Sequence, residues 1–176
     1  MAGAASGLVA WLTGLPSSGK STLGAILCNR LRAEGLQAIL LDGDAVRDAL
    51  VPRPGYTPEA RDAFYASLAG LAALLAQDGA VVVVAATAHL RAFRDRARAL
   101  SPAFLEIFVD TDPAECARRD AKGLYAATRT GDVSGLPGAG VAYEPPVAPD
   151  VVARGGRDEG AVDAVVKRIV ALKEEA

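Results

Sequence analysis

The sequence predicts a single α/β domain over residues 1–176, with helices on both faces of a five-stranded parallel sheet. Short apolar runs alternate along the chain with longer segments of helical period. The first apolar run leads directly into a glycine-rich turn. Of the 176 residues, 51% are hydrophobic and 23% are charged, as in folded globular proteins with one core.

Five apolar runs are the strand candidates, and the third, AVVVVAA, is the most hydrophobic. The fifth run, PDVVA, is the weakest. The runs occupy residues 8–12, 37–42, 80–86, 104–110 and 149–153.

Helices are predicted between these strands, and the third has the clearest signals. Thr57 can cap it, Pro58 suits its first turn, and Gly79 stops it. Its apolar face, which should pack on the sheet, carries Phe64, Leu68, Leu71 and Leu75. The predicted helices are 20–34, 44–50, 58–78, 91–100, 113–120 and 159–174, with a further short one near 122–130.

Residues 131–149 are too irregular for a core element. The segment GDVSGLPGAGVAYEPPVAP has five glycines or prolines before Tyr143 and three prolines after it. Long loops of this kind in compact enzymes often close over a site. We therefore expect a lid over about residues 120–148.

Composition narrows the classes of partner and the cellular location. The formal net charge is −2, so electrostatics do not favour nucleic acid or an anionic membrane. Cys28 and Cys116 fit neither metal spacing nor a disulfide framework, and we expect both to be buried packing residues in a reducing compartment. The amino terminus lacks a basic leader, and residues 80–86 are too short to span a bilayer. These features predict a cytoplasmic protein.

Residues 14–22, GLPSSGKST, satisfy the Walker A pattern from Gly14 to Gly19-Lys20-Ser21, between a predicted strand and a predicted helix. Bare backbone N–H groups, including those of Ser17, Ser18 and Thr22, can surround phosphate oxygens. The lysine can reach the terminal phosphates, and Ser21 is placed to hold magnesium. The alternative is a plain glycine-rich turn with an exposed lysine. The full pattern favours ATP with Mg²⁺ as the ligand.

Three classes of protein share such a loop: small-molecule kinases, GTPase switches and ATP-driven motors. The guanine-reading pattern Asn/Thr-Lys-x-Asp is absent from the sequence, which disfavours a switch. The most apolar strand ends without the acidic residue that motors usually carry there. The kinase class fits best.

The sequence LLDGDAVR places Asp42 and Asp44 at the end of the second strand, at the edge where open parallel sheets bind ligands. One carboxylate, Asp42, can help to hold magnesium through water, and Asp44 can orient or deprotonate an acceptor hydroxyl. Arg47, one turn further on, can meet an anionic acceptor. The alternative is that both aspartates form a turn and cap the next helix.

These motifs together resemble the adenylylsulfate kinase family, whose members move the γ-phosphate of ATP to the 3′-hydroxyl of adenosine 5′-phosphosulfate. The resemblance covers nearly the whole chain. Besides GLPSSGKST and LDGDAVR, the segment after the fourth strand carries Cys-x-x-Arg-Asp, Lys-Gly-Leu-Tyr and Tyr-Glu-x-Pro. The resemblance implies a P-loop kinase fold with strand order 2-3-1-4-5, and a homodimer.

The resemblance also implies roles for individual residues. Arg47 and Arg61 would contact the phosphosulfate side of the acceptor, and Arg118 and Arg119 would lie near the ATP base. Lys20, Lys122 and Arg129 would offset negative charge during transfer. The loop from Lys122 to Tyr143 would form the lid, which excludes water.

The acceptor end departs from the family pattern. Phe64 replaces an acceptor-binding asparagine, and two nearby arginines are missing. The family's Ser-Pro-Tyr-Arg is Ala-His89-Leu-Arg91, and Leu136 replaces an aromatic residue of the lid. Tyr56 is left as the stacking partner for the acceptor's adenine.

Two alternatives follow from these departures: a related kinase with another small hydroxylated or nucleotide acceptor, and a nucleotide-binding module without catalysis. Tyr56, Phe64, Tyr65, His89 and Arg91 would face an altered acceptor. In the segment RAFRDRARAL, we expect a solvated face formed by Arg94, Arg96 and Arg98.

Overall fold

The computed structural model describes residues 7–120, 122–130 and 135–174. Its strands are β1 (Leu8–Thr13), β2 (Ala38–Asp42), β3 (Val81–Ala85), β4 (Phe104–Val109), β5 (Leu136–Pro137), β6 (Gly140–Val141) and β7 (Val151–Ala153). Its helices are α1 (Lys20–Ala33), α2 (Gly43–Ala49), α3 (Pro58–Gln77), α4 (Arg91–Leu100), α5 (Pro113–Arg119), α6 (Leu124–Thr130) and α7 (Glu159–Glu174).

Five of the strands form one sheet in the order β2-β3-β1-β4-β7, and every neighbouring pair is parallel. The predicted fold class and strand order are confirmed, with β7 as the fifth strand. Strand β1 lies in the middle, and none of its residues is more than 1% exposed. The glycine-rich turn follows β1 and therefore lies at the middle of the edge formed by the carboxyl ends of the strands.

The two faces of the sheet carry separate apolar clusters. One packs with α1 and α7, and includes Leu27 and Ile169. The other packs with α3 and α4, and includes Trp11, Leu68 and Phe93. Because successive side chains of a strand point to opposite faces, each central strand supplies both clusters.

Helix α3 begins as predicted, because Thr57 accepts a hydrogen bond from the Ala60 amide at 3.2 Å. The prediction of its buried face was wrong at Leu71, which is 39% exposed. Alanines occupy the buried positions instead, at Ala69, Ala72 and Ala76. Their small side chains let the helix lie close to the sheet, with Leu71 outside the contact.

The expected solvated face of α4 was wrong at Arg94, which is 1% exposed. Its Nε pairs with Glu106 of β4 at 2.7 Å, and its Nη2 donates to the Glu144 carbonyl at 2.7 Å. Its Nη1 donates to the Ala88 carbonyl. Arg94 therefore fastens the loop after β3 and the segment around residue 144 to the sheet.

Cys28 and Cys116 are both buried, as expected of packing residues. The predicted lid lies partly outside the described residues, at 121 and 131–134, and otherwise consists of α6, β5, β6 and connecting segments. Among the described residues, no helix combines the length and apolar character needed to cross a bilayer.

Candidate active site

The glycine-rich turn joins β1 to α1 and is shaped by an unusual backbone. Gly19 has a φ of 105°, in the left-handed region that favours glycine. A Cβ atom on Gly19 would also lie 2.5 Å from the amide nitrogen of Gly156. The loop after β7 therefore packs directly against the turn. Thr111, after β4, adds a hydrogen bond from its hydroxyl to the Ser18 carbonyl at 2.8 Å.

Lys20 opens α1 and is buried in the turn. Its Nζ donates to the carbonyls of Gly14 at 3.0 Å and Leu15 at 2.7 Å. Burial lowers the pKa of Lys20 to about 8, although the Asp44 carboxylate acts in the opposite direction. A cation held against backbone carbonyls in a buried turn is available to an anionic ligand that replaces them.

Ser21 and Asp42 meet where α1 faces the end of β2. The Ser21 hydroxyl donates to Asp42 Oδ2. Asp42 Oδ1 accepts from the Asp44 amide at 3.0 Å and the Ala45 amide at 3.3 Å, so this carboxylate also caps α2. Hydroxyl and carboxylate oxygens are ligands that suit Mg²⁺. Within the described ranges, no group of three His, Cys, Asp or Glu side chains could hold a metal. This donor set fits an ion that keeps waters and phosphate oxygens as its other ligands.

Asp44 and Lys122 form an ion pair across the cleft, between α2 and the start of the expected lid segment. Both side chains are more than half exposed, at 59% and 55%. Solvent therefore screens the pair, and another charged group can displace either partner.

One cleft of about 680 Å³ is lined both by the glycine-rich turn and by residues predicted to bind the acceptor. The predicted ATP-site residues that line it are Ser17, Gly19, Lys20, Ser21, Thr22 and Arg119. The predicted acceptor-site residues that line it are Asp44, Arg47, Tyr56, Arg61, Phe64, His89, Lys122 and Leu136. Tyr65, which was predicted to face an altered acceptor, also lines it, and so do Thr87 and Pro137.

Five predicted site residues do not line the cleft: Gly14, Ser18, Asp42, Arg91 and Arg118. Arg91 faces the segment after Tyr143, since its Nε donates to the Pro145 carbonyl at 2.9 Å. Arg118 is paired with Glu115 at 2.7 Å and is 74% exposed. Arg129 lies in α6 and does not line the cleft either.

A second cavity of about 410 Å³ lies beside Gly19 and Thr22, bounded by Arg119 and the loop after β7. Sequence reasoning missed this loop, residues 154–158. The Arg154 amide donates to Asp158 at 2.8 Å, and the Arg154 side chain pairs with Asp110. The paired glycines between a weak strand and a helix were the available signal, but they do not reveal which part of the chain they contact.

Among the residues predicted to bind the acceptor, Arg47 is buried against two aromatic rings. Its guanidinium carbon lies 3.8 Å from the ring centre of Phe64 and 4.6 Å from that of Tyr56. Its Nη1 donates to the carbonyls of Pro54 at 3.2 Å and Gly55 at 2.7 Å.

Arg61 lies on α3 and reaches the segment before β5. Its Nη2 donates to the Gly135 carbonyl at 2.5 Å. Burial lowers the pKa of Arg61, and the nearby Arg47 charge also contributes to the lowering. Arg47 and Arg61 together create a strongly cationic pocket.

His89 is 5% exposed, and within the described part of the chain its Nδ1 has no hydrogen-bond partner. Burial, together with the Arg61 charge, lowers the pKa of His89 to about 4. The imidazole is therefore neutral at pH 7. Tyr65 supports the same wall, because its hydroxyl accepts a hydrogen bond from the Ala88 amide at 3.0 Å.

Comparison with known proteins gives consistent matches. The adenylylsulphate kinase family model matches residues 6–154. An adenylyl-sulfate kinase of Picosynechococcus is 36% identical over 168 residues, which are 94% of this chain and 95% of the relative. One from Paraburkholderia xenovorans is 40% identical over 173 residues, 96% of each protein.

Among solved structures, the Mycobacterium tuberculosis APS kinase CysC in complex with AMPPNP and APS is 34% identical to this chain, with a TM-score of 0.84. The alignment covers 96% of this chain and 98% of the other. The matched region contains the glycine-rich turn, both aspartates and the cationic pocket.

Proposed function

Because the chain belongs to the adenylylsulfate kinase family, we propose that it transfers the γ-phosphate of Mg²⁺-ATP to the 3′-hydroxyl of adenosine 5′-phosphosulfate. The observation that carries this proposal is the single cleft that contains Lys20 at one end and Arg47 and Arg61 at the other, with Asp44 between them. The solved relative that holds both AMPPNP and APS supports it.

At the donor end, the glycine-rich turn and Lys20 bind the ATP phosphates. Ser21, and Asp42 through water, would hold Mg²⁺, which would neutralise charge on the phosphates when bound. Arg119 and the second cavity receive the nucleobase, because that cavity adjoins the glycine-rich turn at Gly19 and Thr22 and is lined by Arg119. Arg118 is not among the residues that line this cavity.

At the centre, Asp44 orients the acceptor hydroxyl and takes its proton. The acceptor oxygen then forms its bond to the γ-phosphorus while the bond from that phosphorus to the bridging oxygen breaks, and ADP leaves. Lys122 leaves its ion pair with Asp44 and contacts the transferring phosphoryl group instead. The Asp44 carboxylate then becomes available as a base. Phosphoryl transfer needs mainly this positioning and charge compensation.

At the acceptor end, Arg47 and Arg61 bind the phosphosulfate group, and the outer face of Tyr56 receives the adenine. Tyr56 is 52% exposed, so it has surface left for a ligand. Leu136 and His89 form the remaining walls. Closure of the lid excludes water, which would otherwise compete as the acceptor.

The test measures acceptor-dependent release of ADP together with ATP binding by calorimetry. We expect turnover with adenosine 5′-phosphosulfate. Asp44→Asn should lower kcat by about 100-fold or more while ATP binding is retained, as for loss of a general base. Asp48→Asn is the matched control, because Asp48 is exposed, pairs with Arg53 and does not line the cleft. Its kcat should stay within about twofold of the wild type.

Two outcomes would contradict the proposal. Turnover only with another hydroxylated or nucleotide acceptor would identify a related kinase of different specificity. ATP binding with no acceptor-dependent turnover would identify a non-catalytic nucleotide-binding module.

A further inference from the structure

We infer that Phe64 is a positioning residue for the acceptor: it fixes the plane of the Arg47 guanidinium and thereby orients the charge that binds the acceptor's anionic group. This inference rests on the proposed function. It differs from direct contact, because Phe64 would act on the acceptor through Arg47.

The first observation is how completely Arg47 is enclosed. The residue is 4% exposed although it carries a positive charge. Burial of a cation is costly unless other groups compensate it. Here the guanidinium carbon lies over two aromatic rings, with both ring centres within 5 Å of it. Both distances lie inside the range of an effective cation–π contact.

The second observation concerns the edges of the guanidinium. Within the described part of the chain, Nη1 is the only guanidinium nitrogen of Arg47 that donates a hydrogen bond, and both of its acceptors are carbonyls of the loop before α3. Nε and Nη2 remain available, and Arg47 lines the cleft. This pair of nitrogens forms the edge that binds phosphate or sulfate oxygens in a bidentate manner.

The third observation is that the two rings are not equivalent. Tyr56 is half exposed, whereas Phe64 is 3% exposed and packs edge-on against Tyr65 at 5.3 Å between ring centres. Tyr65 in turn stacks on Phe93 at 4.7 Å. Phe64 is therefore held among buried rings, whereas Tyr56 lies at the surface. Removal of the Phe64 ring should free the guanidinium to rotate.

The experiment compares steady-state kinetics of Phe64→Leu, Phe64→Tyr and the wild type. Leucine keeps an apolar side chain but removes the ring, so the KM for adenosine 5′-phosphosulfate should rise by about 3- to 30-fold, the range expected for a cation–π contact. The values of kcat and of KM for ATP should stay within about twofold. Tyrosine keeps the ring face and should restore the acceptor KM to within about threefold of the wild type. Phe104→Leu is the matched control, because Phe104 lies under Arg98 at 4.7 Å outside the cleft.

A double-mutant cycle separates action through Arg47 from direct contact. In an Arg47→Met background, Phe64→Leu should change the acceptor KM by less than about twofold. An equal rise in both backgrounds, or no rise in the single variant, would overturn the inference.

A second measurement does not depend on turnover. The Arg47 Hε proton should resonate upfield of ordinary arginine signals, because the guanidinium carbon lies over the faces of two rings, and should lose much of this shift in Phe64→Leu. If the wild type does not turn over adenosine 5′-phosphosulfate, the proposed function fails. The Hε signal then decides the inference: an unshifted signal in the wild type refutes the stack, and a shift that largely disappears in the variant supports it.

Discussion

Burial lowers the pKa of two basic side chains at the cleft, with different results. Lys20, at about 8, keeps its proton at neutral pH because the Asp44 charge opposes the loss. His89, at about 4, has lost its proton. Both groups are buried, but the ordinary pKa of lysine lies about four units above that of histidine. The glycine-rich turn therefore keeps a cation at Lys20, and the cleft wall at His89 carries a neutral ring.

The pKa of His89 predicts a pH-dependent stability. The unfolded chain has an ordinary histidine pKa of about 6.5 and binds the proton first as the pH falls. The folded protein should therefore lose stability between about pH 6.5 and pH 4, by about 2 kcal/mol from pH 7 to pH 5. Urea unfolding at both values checks this against His89→Gln. Since the chain has one histidine, the variant removes the whole contribution.

The variant should lose less stability than the wild type over the same interval. Equal losses would show that His89 titrates normally in the folded protein.

For Arg47, the sequence pattern predicts the location of the residue but not the contacts of its side chain. The sequence placed a cation one turn after the acidic pair, and in the structure Arg47 lines the same cleft as Asp44. Its hydrogen bonds to the carbonyls of residues 54 and 55 depend on the path of a loop that has no repeating pattern. The resemblance identified Phe64 as a departure, but its contact with Arg47 depends on how α2 and α3 are packed together.

At the level of elements, the Arg94–Glu106 pair joins α4 to β4. The Glu106 carboxylate also pairs with Arg98 at 3.0 Å. The backbone amide of Glu106 donates instead to Asp150 at 2.8 Å. A buried pair of this kind is strongly destabilising to break, because the remaining charge stays in the interior.

Arg94→Met should lower the free energy of unfolding by about 3 kcal/mol or more. Arg96→Met is the matched control two residues along the same helix, where Arg96 pairs with Asp62 at the surface. Its cost should be below about 1 kcal/mol. Chemical denaturation measures both, and equal effects would contradict a structural role for the buried pair.

The elements themselves were largely predictable, and the reasons are local. Apolar runs define the strands, and Thr57 and Pro58 define the start of α3, so these boundaries agree with the structure to within about two residues. Arg94 was misassigned because alternating arginines in a helix look solvated, and its buried partner Glu106 lies on a different element. The role of the site residues stays a prediction, as does the lid.

At the level of the whole molecule, the phosphate-binding turn depends on the far end of the chain. A Cβ atom on Gly156 would lie 2.7 Å from the carbonyl oxygen of Gly19 and 3.0 Å from its Cα. Both neighbours are backbone atoms, which cannot move aside easily. The turn after β1 and the loop after β7 thus form one packed unit. The expected homodimer and cytoplasmic location stay predictions.

Gly156→Ala should push this unit apart and weaken ATP binding by about tenfold, which corresponds to about 1.4 kcal/mol and lies within the usual cost of overpacking. Gly70→Ala is the control, because a Cβ at this exposed position of α3 meets nothing within 4 Å. That variant should raise the free energy of unfolding by about 0.5 to 1 kcal/mol. Calorimetry measures the ATP affinity of both variants, and urea unfolding measures their free energy of unfolding.

Unchanged ATP affinity in Gly156→Ala would show that the loop after β7 adjusts without disturbing the turn.

The contact between Gly19 and Gly156 also has a consequence for biosynthesis. The ribosome makes the phosphate-binding turn well before it makes the residues after β7 that support the turn from the other side. The central strand β1 likewise waits for β3 and β4 before it has neighbours on both sides. A growing polypeptide therefore carries the nucleotide motif long before it can bind a nucleotide, because binding also requires the loop after β7.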